Sequence, residues 1–405
     1  MKFKTLDDVD VRGKKVLVRV DINSPLDPET GEILDDTRIR ECSRTLKELL
    51  DKGAKLVILA HQGRPGSEDF TTLERHSKKL SEVLGREVKY VDDVFGSRAK
   101  EAIGELKEGE AILLENVRFY SEEVLKRPAE EQANTHMVRE LSKVVDIYVN
   151  DAFAAAHRSQ PSLVGFGVAL PAVAGRLMER ELRGLGKALK PERPCVYLLG
   201  GAKIEDSFSL IENVFAKGTA DMVLSGGLVG QAFLSASGYD IGKVNLDFII
   251  KKSSEEQIER AKKLLSDYGE KIKLPVDLVI DEEGNPREIT IDQLPVESRI
   301  SDIGHRTVEE FSKLIKEAKT VVANGPVGVF EKPEFAEGTR KLLQAMGESD
   351  AFTIIGGGHM VAAAKEMGLA DKIDHVSTGG GACLRFLSGE KLPVVEVLER
   401  SAEKW

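Results

Sequence analysis

Short runs of apolar, mostly β-branched residues recur along the chain, separated by segments in which apolar residues repeat every three or four positions. Runs that are apolar at nearly every position are typical of strands buried on both faces of a parallel sheet. In the first half, the pattern predicts strands at Lys15–Val20, Lys55–Ala60, Ala111–Leu114 and Asp146–Asn150. In the second half, it predicts strands at Cys195–Leu199, Asp221–Leu224, Val276–Ile280, Thr320–Ala323 and Phe352–Ile355.

The segments between these strands have the periodicity of amphipathic helices, as in Arg38–Lys52 and Val308–Lys319. Alternation of strands with helices is typical of α/β proteins with parallel sheets. We therefore expect an α/β fold with two Rossmann-like domains, each a mostly parallel sheet flanked by helices, joined by a hinge helix.

The length of 405 residues supports this division, because such a chain is too long for one ordinary hydrophobic core. Gly165, Gly167 and Pro171 interrupt regular structure, and Gly175–Leu189 then has the pattern of one continuous helix. The sequence thus predicts a first domain at 1–171, a hinge helix at 172–189 and a second domain at 190–386.

Composition and charge limit the classes of partner. The chain is 41% hydrophobic and 31% charged, as expected of a globular protein, and its net charge of −10 argues against binding nucleic acid or an anionic membrane surface. Cys42, Cys195 and Cys383 are widely spaced, which predicts reduced thiols. Because the first residues lack a signal-peptide pattern and no apolar run reaches the ~18 residues of a membrane span, we expect a cytoplasmic protein.

Charged and polar residues follow the early strands, where ligands bind in open parallel sheets. Arginine presents a planar fork of donors that matches a phosphate or a carboxylate. Any one of these arginines is equally well explained as a surface charge in contact with water. An aspartate at a strand end is equally well explained as a residue that forms a turn. Together they predict an anion site formed by Asp21, Asn23, Arg38, His61, Arg64, Arg118 and Arg158.

Glycine-rich turns follow the late strands. Gly200-Gly-Ala-Lys203 and Gly356-Gly-Gly-His359 each precede a helical pattern, and Thr378-Gly-Gly-Gly381 is a third such turn. Glycine lets backbone N–H groups approach phosphate oxygens, and a helix N-terminus adds favourable partial charge. The P-loop pattern is absent, and Gly165-Phe-Gly167 lacks the third glycine of a dinucleotide fingerprint. The pattern therefore disfavours a P-loop enzyme or an NAD-dependent dehydrogenase.

Eight segments, in family order and spanning nearly the whole chain, resemble the signatures of the phosphoglycerate kinase family. Four lie in the first half: Arg19-Val-Asp-Ile-Asn-Ser-Pro25, His61-Gln-Gly-Arg-Pro65, Leu113-Leu-Glu-Asn-Val-Arg-Phe119 and Tyr148-Val-Asn-Asp-Ala-Phe153. Four lie in the second half: Gly200-Gly-Ala-Lys203, Asn324-Gly-Pro-Val-Gly-Val-Phe-Glu331, Gly356-Gly-Gly358 and Ser377-Thr-Gly-Gly-Gly-Ala382.

The resemblance implies reversible phosphoryl transfer between ATP and the carboxyl group of 3-phosphoglycerate in glycolysis and gluconeogenesis, with Mg²⁺ as cofactor. It implies that the anion site named above binds 3-phosphoglycerate in the first domain. It also implies that 387–405 packs back on that domain. The implied nucleotide-binding residues of the second domain are Lys203, Gly227, Asn324, Glu331, Gly356, Gly357, Gly358 and His359. Glu331 is the implied partner of the ribose hydroxyls.

Two positions depart from the family pattern. Ser207 stands where a second lysine is usual after Lys203, and His359 stands where the family has an aspartate that contacts magnesium. Because neutral imidazole is a poor magnesium ligand, the protein ligand of the metal is left open. Either Asp206 coordinates it, or phosphates and water suffice. Both departures are interpreted as features of an archaeal-like branch.

The transferred group is metaphosphate-like, so we expect positioning and charge neutralisation to carry catalysis, with Arg38 and Lys203 as the catalytic residues. The acceptor carboxylate is already ionised, so no general base is needed and His61 is expected to bind substrate or to be structural. Two other functions remain open: another two-domain α/β transferase, and a two-lobed protein that only binds an anionic metabolite. We expect a monomer, with a homodimer as the alternative.

Overall fold

Strand β1, Lys15–Arg19, has fully buried side chains on both faces, because Val16, Leu17 and Val18 alternate between the two sides of a sheet covered by helices. In the computed structural model, which describes residues 1–405, this strand lies inside a six-stranded parallel sheet. The strand order is β3-β4-β2-β1-β5-β6. The other five strands are β2 Lys55–Leu59, β3 Val88–Val91, β4 Ala111–Leu114, β5 Ile147–Asn150 and β6 Ala172–Ala174.

The helices around this sheet bury one apolar stripe each. In α1, Thr37–Asp51, the residues Ile39, Cys42, Leu46 and Leu49 repeat at helical spacing and are all completely buried. The remaining helices of this part are α2 Glu74–Leu84, α3 Ser97–Glu105, α4 Ala129–Gln132, α5 His136–Leu141, α6 Phe166–Ala169 and α7 Arg176–Leu189.

The second part of the chain has its own parallel sheet of six strands, in the order β15-β14-β13-β7-β8-β9. Its strands are β7 Cys195–Leu199, β8 Met222–Ser225, β9 Ile272–Lys273, β13 Thr320–Asn324, β14 Phe352–Gly356 and β15 His375–Val376, and a separate sheet contains β10 Asp277–Glu282, β11 Asn285–Thr290 and β12 Arg299–Ile303. Its helices are α8 Ile204–Ala216, α9 Gly227–Ala236, α10 Lys243–Lys252, α11 Glu256–Tyr268, α12 His305–Glu317, α13 Glu337–Glu348, α14 Gly358–Glu366 and α15 Gly381–Leu387.

The predicted α/β class is therefore confirmed, but one strand is in a different kind of sheet. The run Val276–Ile280 was expected in the parallel sheet, whereas β10 pairs antiparallel with β11 and β12. The two-residue turn Glu283-Gly284 explains this, because both residues have positive φ angles, 52° and 92°, as in the tight turns that join antiparallel strands.

The chain divides into two units, one of residues 1–182 with 391–405 and the other of residues 183–390. The division falls within α7. Residues 172–174, which the sequence analysis placed in the hinge segment, form β6 beside β5. The last helix, α16 Pro393–Lys404, packs on β6 and α6, within the first unit. No helix combines the length and the apolar character that crossing a membrane requires.

The N-terminus of α7 is held in the first unit by a buried carboxylate. Asp151 follows β5 and accepts hydrogen bonds from the backbone N–H groups of Leu177 and Met178, at 2.9 and 3.1 Å. Gly175 permits this approach, because a Cβ there would lie 2.2 Å from Asp151 Oδ1. Burial raises the pKa of Asp151 to about 7, although these N–H groups favour its ionised form.

This buried carboxyl predicts a pH-dependent stability. Because the pKa of this carboxyl group is about 7 in the folded chain and ordinarily 3.8, the folded state binds more protons than the unfolded state between these values. Stability should therefore fall as pH rises from about 4 to about 7. We expect Asp151→Asn to remove this contribution, on the order of 2–4 kcal/mol across that window, when urea unfolding is followed at several pH values.

The exposed Asp10 provides the matched control. Asp10→Asn should leave the pH dependence of unfolding as it is in the wild-type protein. Parallel curves for the wild-type protein and Asp151→Asn would show that Asp151 does not titrate differently in the folded state.

Candidate active site

The carboxyl ends of β4, β2, β1 and β5 lie side by side, so residues that follow these strands meet at one edge of the sheet. Asp21, His61 and Arg118 follow β1, β2 and β4 in turn. At this edge, four arginines lie within electrostatic range of Asp21, of His61 or of one another: Arg38, Arg64, Arg118 and Arg158. The structure thus brings these predicted residues together, and we call them, with Asn23, the basic cluster.

Asp21 is the acidic centre of the basic cluster. Its Oδ1 accepts a hydrogen bond from Arg38 Nη1 at 2.9 Å and another from the backbone N–H of Asn23 at 3.2 Å. Burial alone raises the pKa of Asp21, but the positive charges of Arg38 and Arg19 and the hydrogen bond from Asn23 lower it, and the net shift is below the usual value. Asp21 is therefore ionised and remains available as an acceptor.

Positive charge exceeds negative charge in the rest of the basic cluster. Burial, followed by repulsion from Arg158 and Arg19, lowers the pKa of Arg118 to about 10. Burial also lowers the pKa of Arg158, and Arg19 and Arg64 lower it further, against the opposing effect of Asp21. Half-buried guanidinium groups that repel one another favour binding of an anion between them.

His61 is held in one tautomer. Arg19 Nη2 lies 3.1 Å from His61 Nδ1, and because a guanidinium group has only donors, Nδ1 must be the acceptor. Burial lowers the pKa of His61 well below its usual value, so the ring is neutral. The proton therefore sits on Nε2, which is suited to donate a hydrogen bond and not to accept a proton.

Arg19 is a buried residue of this site that the sequence analysis did not select. Its Nε donates to Ser162 Oγ at 2.8 Å, and Ser162 in turn donates through its N–H and hydroxyl to the Glu123 carboxylate. Arg19 is 2% exposed and Glu123 is 1% exposed. The buried network holds the guanidinium group against His61. Because Arg19 lies inside a predicted strand, the sequence pattern did not indicate this role.

Gln62 and Asn116 connect three of the loops that carry the basic cluster. Gln62 accepts from the backbone N–H of Ser24 at 2.9 Å and donates to the carbonyl of the same residue at 3.0 Å. Asn116 Nδ2 donates to the carbonyl of Gln62 at 2.8 Å. Asn23 Oδ1 accepts from the N–H of Gly63 at 2.7 Å, which leaves the amide NH₂ of Asn23 as a donor. The loops after β1, β2 and β4 are thus tied together.

The second unit contains a cavity of about 500 Å³ at the carboxyl ends of β7, β8, β13 and β14. This volume lies within the ~300–1,000 Å³ that is usual for small-molecule sites. Helices α8, α9, α14 and α15 all begin at residues around it. The predicted residues that line it are Lys203, Gly227, Asn324, Glu331, Gly357, Gly358 and His359.

Glycine at three turns lets separate backbone segments pack against one another at this cavity. A Cβ on Gly200 would lie 2.3 Å from the carbonyl oxygen of Pro326, and one on Gly325 would lie 2.4 Å from the carbonyl oxygen of Gly200. Gly227, with φ of +54°, approaches the N–H of Gly201 in the same way. The resulting wall is built from backbone and helix N-termini, which suits phosphate groups. The role of Gly325 was not predicted.

Asn324 has a buried donor, Nδ2, without a hydrogen-bond partner in the protein. A Cβ on Gly357 would lie 2.8 Å from Asn324 Oδ1, so the amide group of Asn324 lies against this glycine turn. An orphaned donor beside a glycine turn indicates a ligand that supplies the missing acceptor. Gly356, by contrast, does not line the cavity and packs on Cys383, because a Cβ there would lie 2.8 Å from the thiol sulfur.

Lys203 is exposed at the start of α8 and makes no ion pair with another residue. Three carboxylates line the cavity with it: Asp206, Asp302 and Glu331. Asp302 accepts hydrogen bonds from the N–H groups of Ile303 and Gly338, and burial raises its pKa to about 7. Glu331 Oε1 lies 3.6 Å from His359 Nδ1. Of these three carboxylates, that of Asp206 therefore remains available to bind a ligand near Lys203.

Comparison with known proteins relates nearly the whole chain to one protein family. A family model described as phosphoglycerate kinase matches residues 6–390. The chain belongs to the phosphoglycerate kinase family. It is therefore a kinase of the class that transfers a phosphoryl group to a carboxyl group.

Relatives in this family cover the full length of the chain. A phosphoglycerate kinase of Methanothermus fervidus is 56% identical over 100% of this chain and 98% of its own length. That of Pyrococcus abyssi is 48% identical over 99% of this chain and 98% of its own length. The predicted similarity to archaeal members is confirmed.

Solved structures of phosphoglycerate kinases have the same fold. The enzyme from Pyrococcus horikoshii OT3 has a TM-score of 0.90 and 45% identity, covering 99% of this chain and 100% of that one. The enzyme from Coxiella burnetii has a TM-score of 0.85 and 34% identity, covering 100% of each chain. The two-unit α/β architecture is therefore that of the phosphoglycerate kinase family.

Close backbone packing at the cavity predicts the effect of one added methyl group. Gly357 has φ of +81°, and the Cβ of Gly357→Ala would press on Asn324 Oδ1. We expect the variant to bind ADP at least about 10-fold more weakly in isothermal titration calorimetry, because the turn has to move.

Gly368→Ala is the matched control, because Gly368 has a similar φ of +67° but no atom near its Cβ. It introduces similar backbone strain outside the cavity, so ADP affinity should remain unchanged. An equal loss of affinity in both variants would mean that strain, and not the geometry of the cavity, determines binding.

Proposed function

We propose that this chain catalyses reversible phosphoryl transfer between ATP and the carboxyl group of 3-phosphoglycerate, giving 1,3-bisphosphoglycerate, in glycolysis and gluconeogenesis in the cytoplasm. The observation that carries the proposal is the pairing of two unlike sites in one chain. The basic cluster of the first unit suits a small molecule with two anionic groups, and the glycine-lined cavity of the second unit suits a nucleotide. A protein that only captures an anion has no use for the second site.

In this proposal, the basic cluster binds 3-phosphoglycerate. Arg64, Arg118 and Arg158 neutralise its phosphate, because several guanidinium forks are needed to replace the water around a dianion. Asp21 and Asn23 bind the hydroxyl group, as acceptor and donor respectively. His61, neutral and protonated on Nε2, donates a hydrogen bond, and no proton is transferred because the substrate carboxylate is already ionised.

The cavity of the second unit binds the nucleotide. The N-termini of α8 and α14 face its phosphates, Asn324 Nδ2 donates to a phosphate oxygen, and Glu331 accepts from the ribose hydroxyls. The cavity is also lined by Gly227, Gly357, Gly358 and His359. Gly356 lies outside the cavity and lets the end of β14 pack against Cys383. Each site is assembled within one unit, so we propose that a monomer is active.

Catalysis in this proposal depends on position and charge. The transferred group carries charge on its three equatorial oxygens, which Arg38 and Lys203 stabilise together with backbone N–H groups of the glycine turns. The two ligands are assigned to different units, so transfer requires a movement that brings them into line. We assign that movement to α7, within which the two units divide.

The cavity also fits a nucleotide-bound Mg²⁺ ion. Mg²⁺ prefers oxygen ligands and usually keeps several waters, so one carboxylate beside the phosphates is sufficient. Asp206 is available for this role, whereas both oxygens of Asp302 accept backbone hydrogen bonds. When bound, the ion neutralises charge on the phosphates. His359 serves no coordinating role in this proposal and pairs instead with Glu331.

A coupled assay for ADP formation from ATP and 3-phosphoglycerate tests the proposed function directly. Turnover that requires both compounds supports it. Turnover of ATP with another acceptor only, or binding of 3-phosphoglycerate without turnover, would support one of the two rival functions.

Arg38 provides a test of the mechanism. It pairs with Asp21 at 2.9 Å and its side chain is 46% exposed, so it can reach a bound ligand. We expect Arg38→Ala to lower kcat by about 100-fold or more, as the loss of a contact made in the transition state does.

Arg40→Ala is the control on the same helix, because Arg40 is exposed and pairs with Asp36. It should keep wild-type kcat. Unchanged turnover in Arg38→Ala would remove Arg38 from the mechanism.

His359 tests the metal site separately. If Asp206, phosphates and water hold the ion, His359→Asp adds a carboxylate near it, and we expect half-maximal activity at a lower Mg²⁺ concentration. A magnesium titration of kcat/KM for both proteins measures this. An identical magnesium dependence would mean that position 359 lies too far from the ion to affect it.

A further inference from the structure

Arg299 lies at the start of β12 and lines the cavity together with the other four residues of that strand. Its guanidinium carbon lies 3.5 Å from the centroid of the Phe248 ring, so the group stacks on the aromatic face. Stacking fixes the plane of the guanidinium group and leaves its donors pointing outward from the edge.

The guanidinium group of Arg299 makes no hydrogen bond and no ion pair with the protein, and its Nε is buried without a partner. Burial lowers the pKa of Arg299, and no carboxylate offsets that shift. Arg287, on β11 of the same three-stranded sheet, instead pairs with Glu282 at 3.0 Å. In a chain of net charge −10, a half-buried arginine without a partner indicates that a ligand supplies the acceptor.

The surroundings of Arg299 suit the flat faces of a base. Ile300, which follows Arg299 in β12, contributes apolar surface to the cavity, as do Leu228, Pro275, Leu278 and Val329. Asp302, three residues further along β12, lies next to Gly328, close to the glycine turns. Arg299 is thus about 10 Å along the strand from the proposed phosphate end.

We propose that Arg299 determines the base specificity of the nucleotide site and selects 6-oxo purines, with its guanidinium fork donating to O6 and N7 of the base. Guanine and hypoxanthine present two adjacent acceptors at this edge, whereas adenine presents the N7 acceptor beside an amino donor. Because arginine can only donate, one of its two bonds is lost with adenine. This inference rests on the proposed function and names the preferred class of its nucleotide.

The test compares ATP, GTP and ITP as phosphoryl donors to 3-phosphoglycerate. The wild-type protein should use GTP and ITP with a higher kcat/KM than ATP. Arg299→Met keeps an unbranched side chain over Phe248, and it should lower kcat/KM for GTP and ITP about 10-fold or more while changing that for ATP less than about threefold. Arg299→Lys retains the charge without the fork and should recover only part of this loss.

Arg287→Met is the matched control, since it removes the same charge from the same small sheet outside the cavity. It should leave all three kcat/KM values unchanged. A wild-type kcat/KM for ATP equal to or above those for GTP and ITP, an equal loss for all three nucleotides in Arg299→Met, or no loss for any of them would overturn the assignment. Absence of turnover with every nucleotide would contradict the proposed function itself, so the two failures are distinguishable.

Discussion

Repulsion among buried guanidinium groups at the carboxyl edge of the first sheet is the constraint on which the remaining features depend. Arg118 and Arg158 are only half solvated, and Arg19 is 2% exposed, so their charges are weakly screened. Asp21 and Glu123 balance part of that charge. In the proposed function, the bound anion stabilises the remainder, which accounts for the concentration of arginines at one place in a protein of net charge −10.

In the proposed function, the second unit binds the phosphates of its ligand mainly with backbone groups instead of arginine side chains. Its turns at Gly200, Gly227 and Gly325 lie so close together that any side chain would collide with a neighbouring backbone. Lys203 supplies an exposed charge at the start of α8, and Asn324 supplies a buried donor. In the proposed function, the backbone donors of the second unit hold the nucleotide and the arginines of the first unit hold the acidic substrate.

Much of this arrangement follows from the sequence, because a residue after a buried parallel strand must lie at the carboxyl edge. That rule located Asp21, His61 and Arg118 without coordinates. It did not locate Arg19, whose position inside β1 makes it look like an ordinary strand residue, or Arg299, whose lack of a partner is visible only in three dimensions. The strand at Val276–Ile280 was placed in the wrong sheet, because apolar runs look alike in both kinds of sheet, although Glu283-Gly284 carried the hairpin signal.

The central claim is that the arginine-rich edge alone recognises the small acidic substrate. A crystal structure of the full chain with 3-phosphoglycerate and no nucleotide tests it most directly. We expect the phosphate to lie against Arg64, Arg118 and Arg158, and the hydroxyl group to contact Asp21. We expect no substrate in the glycine-lined cavity. Substrate bound in that cavity, or bound elsewhere in the first unit with the arginine contacts unchanged, would contradict the account.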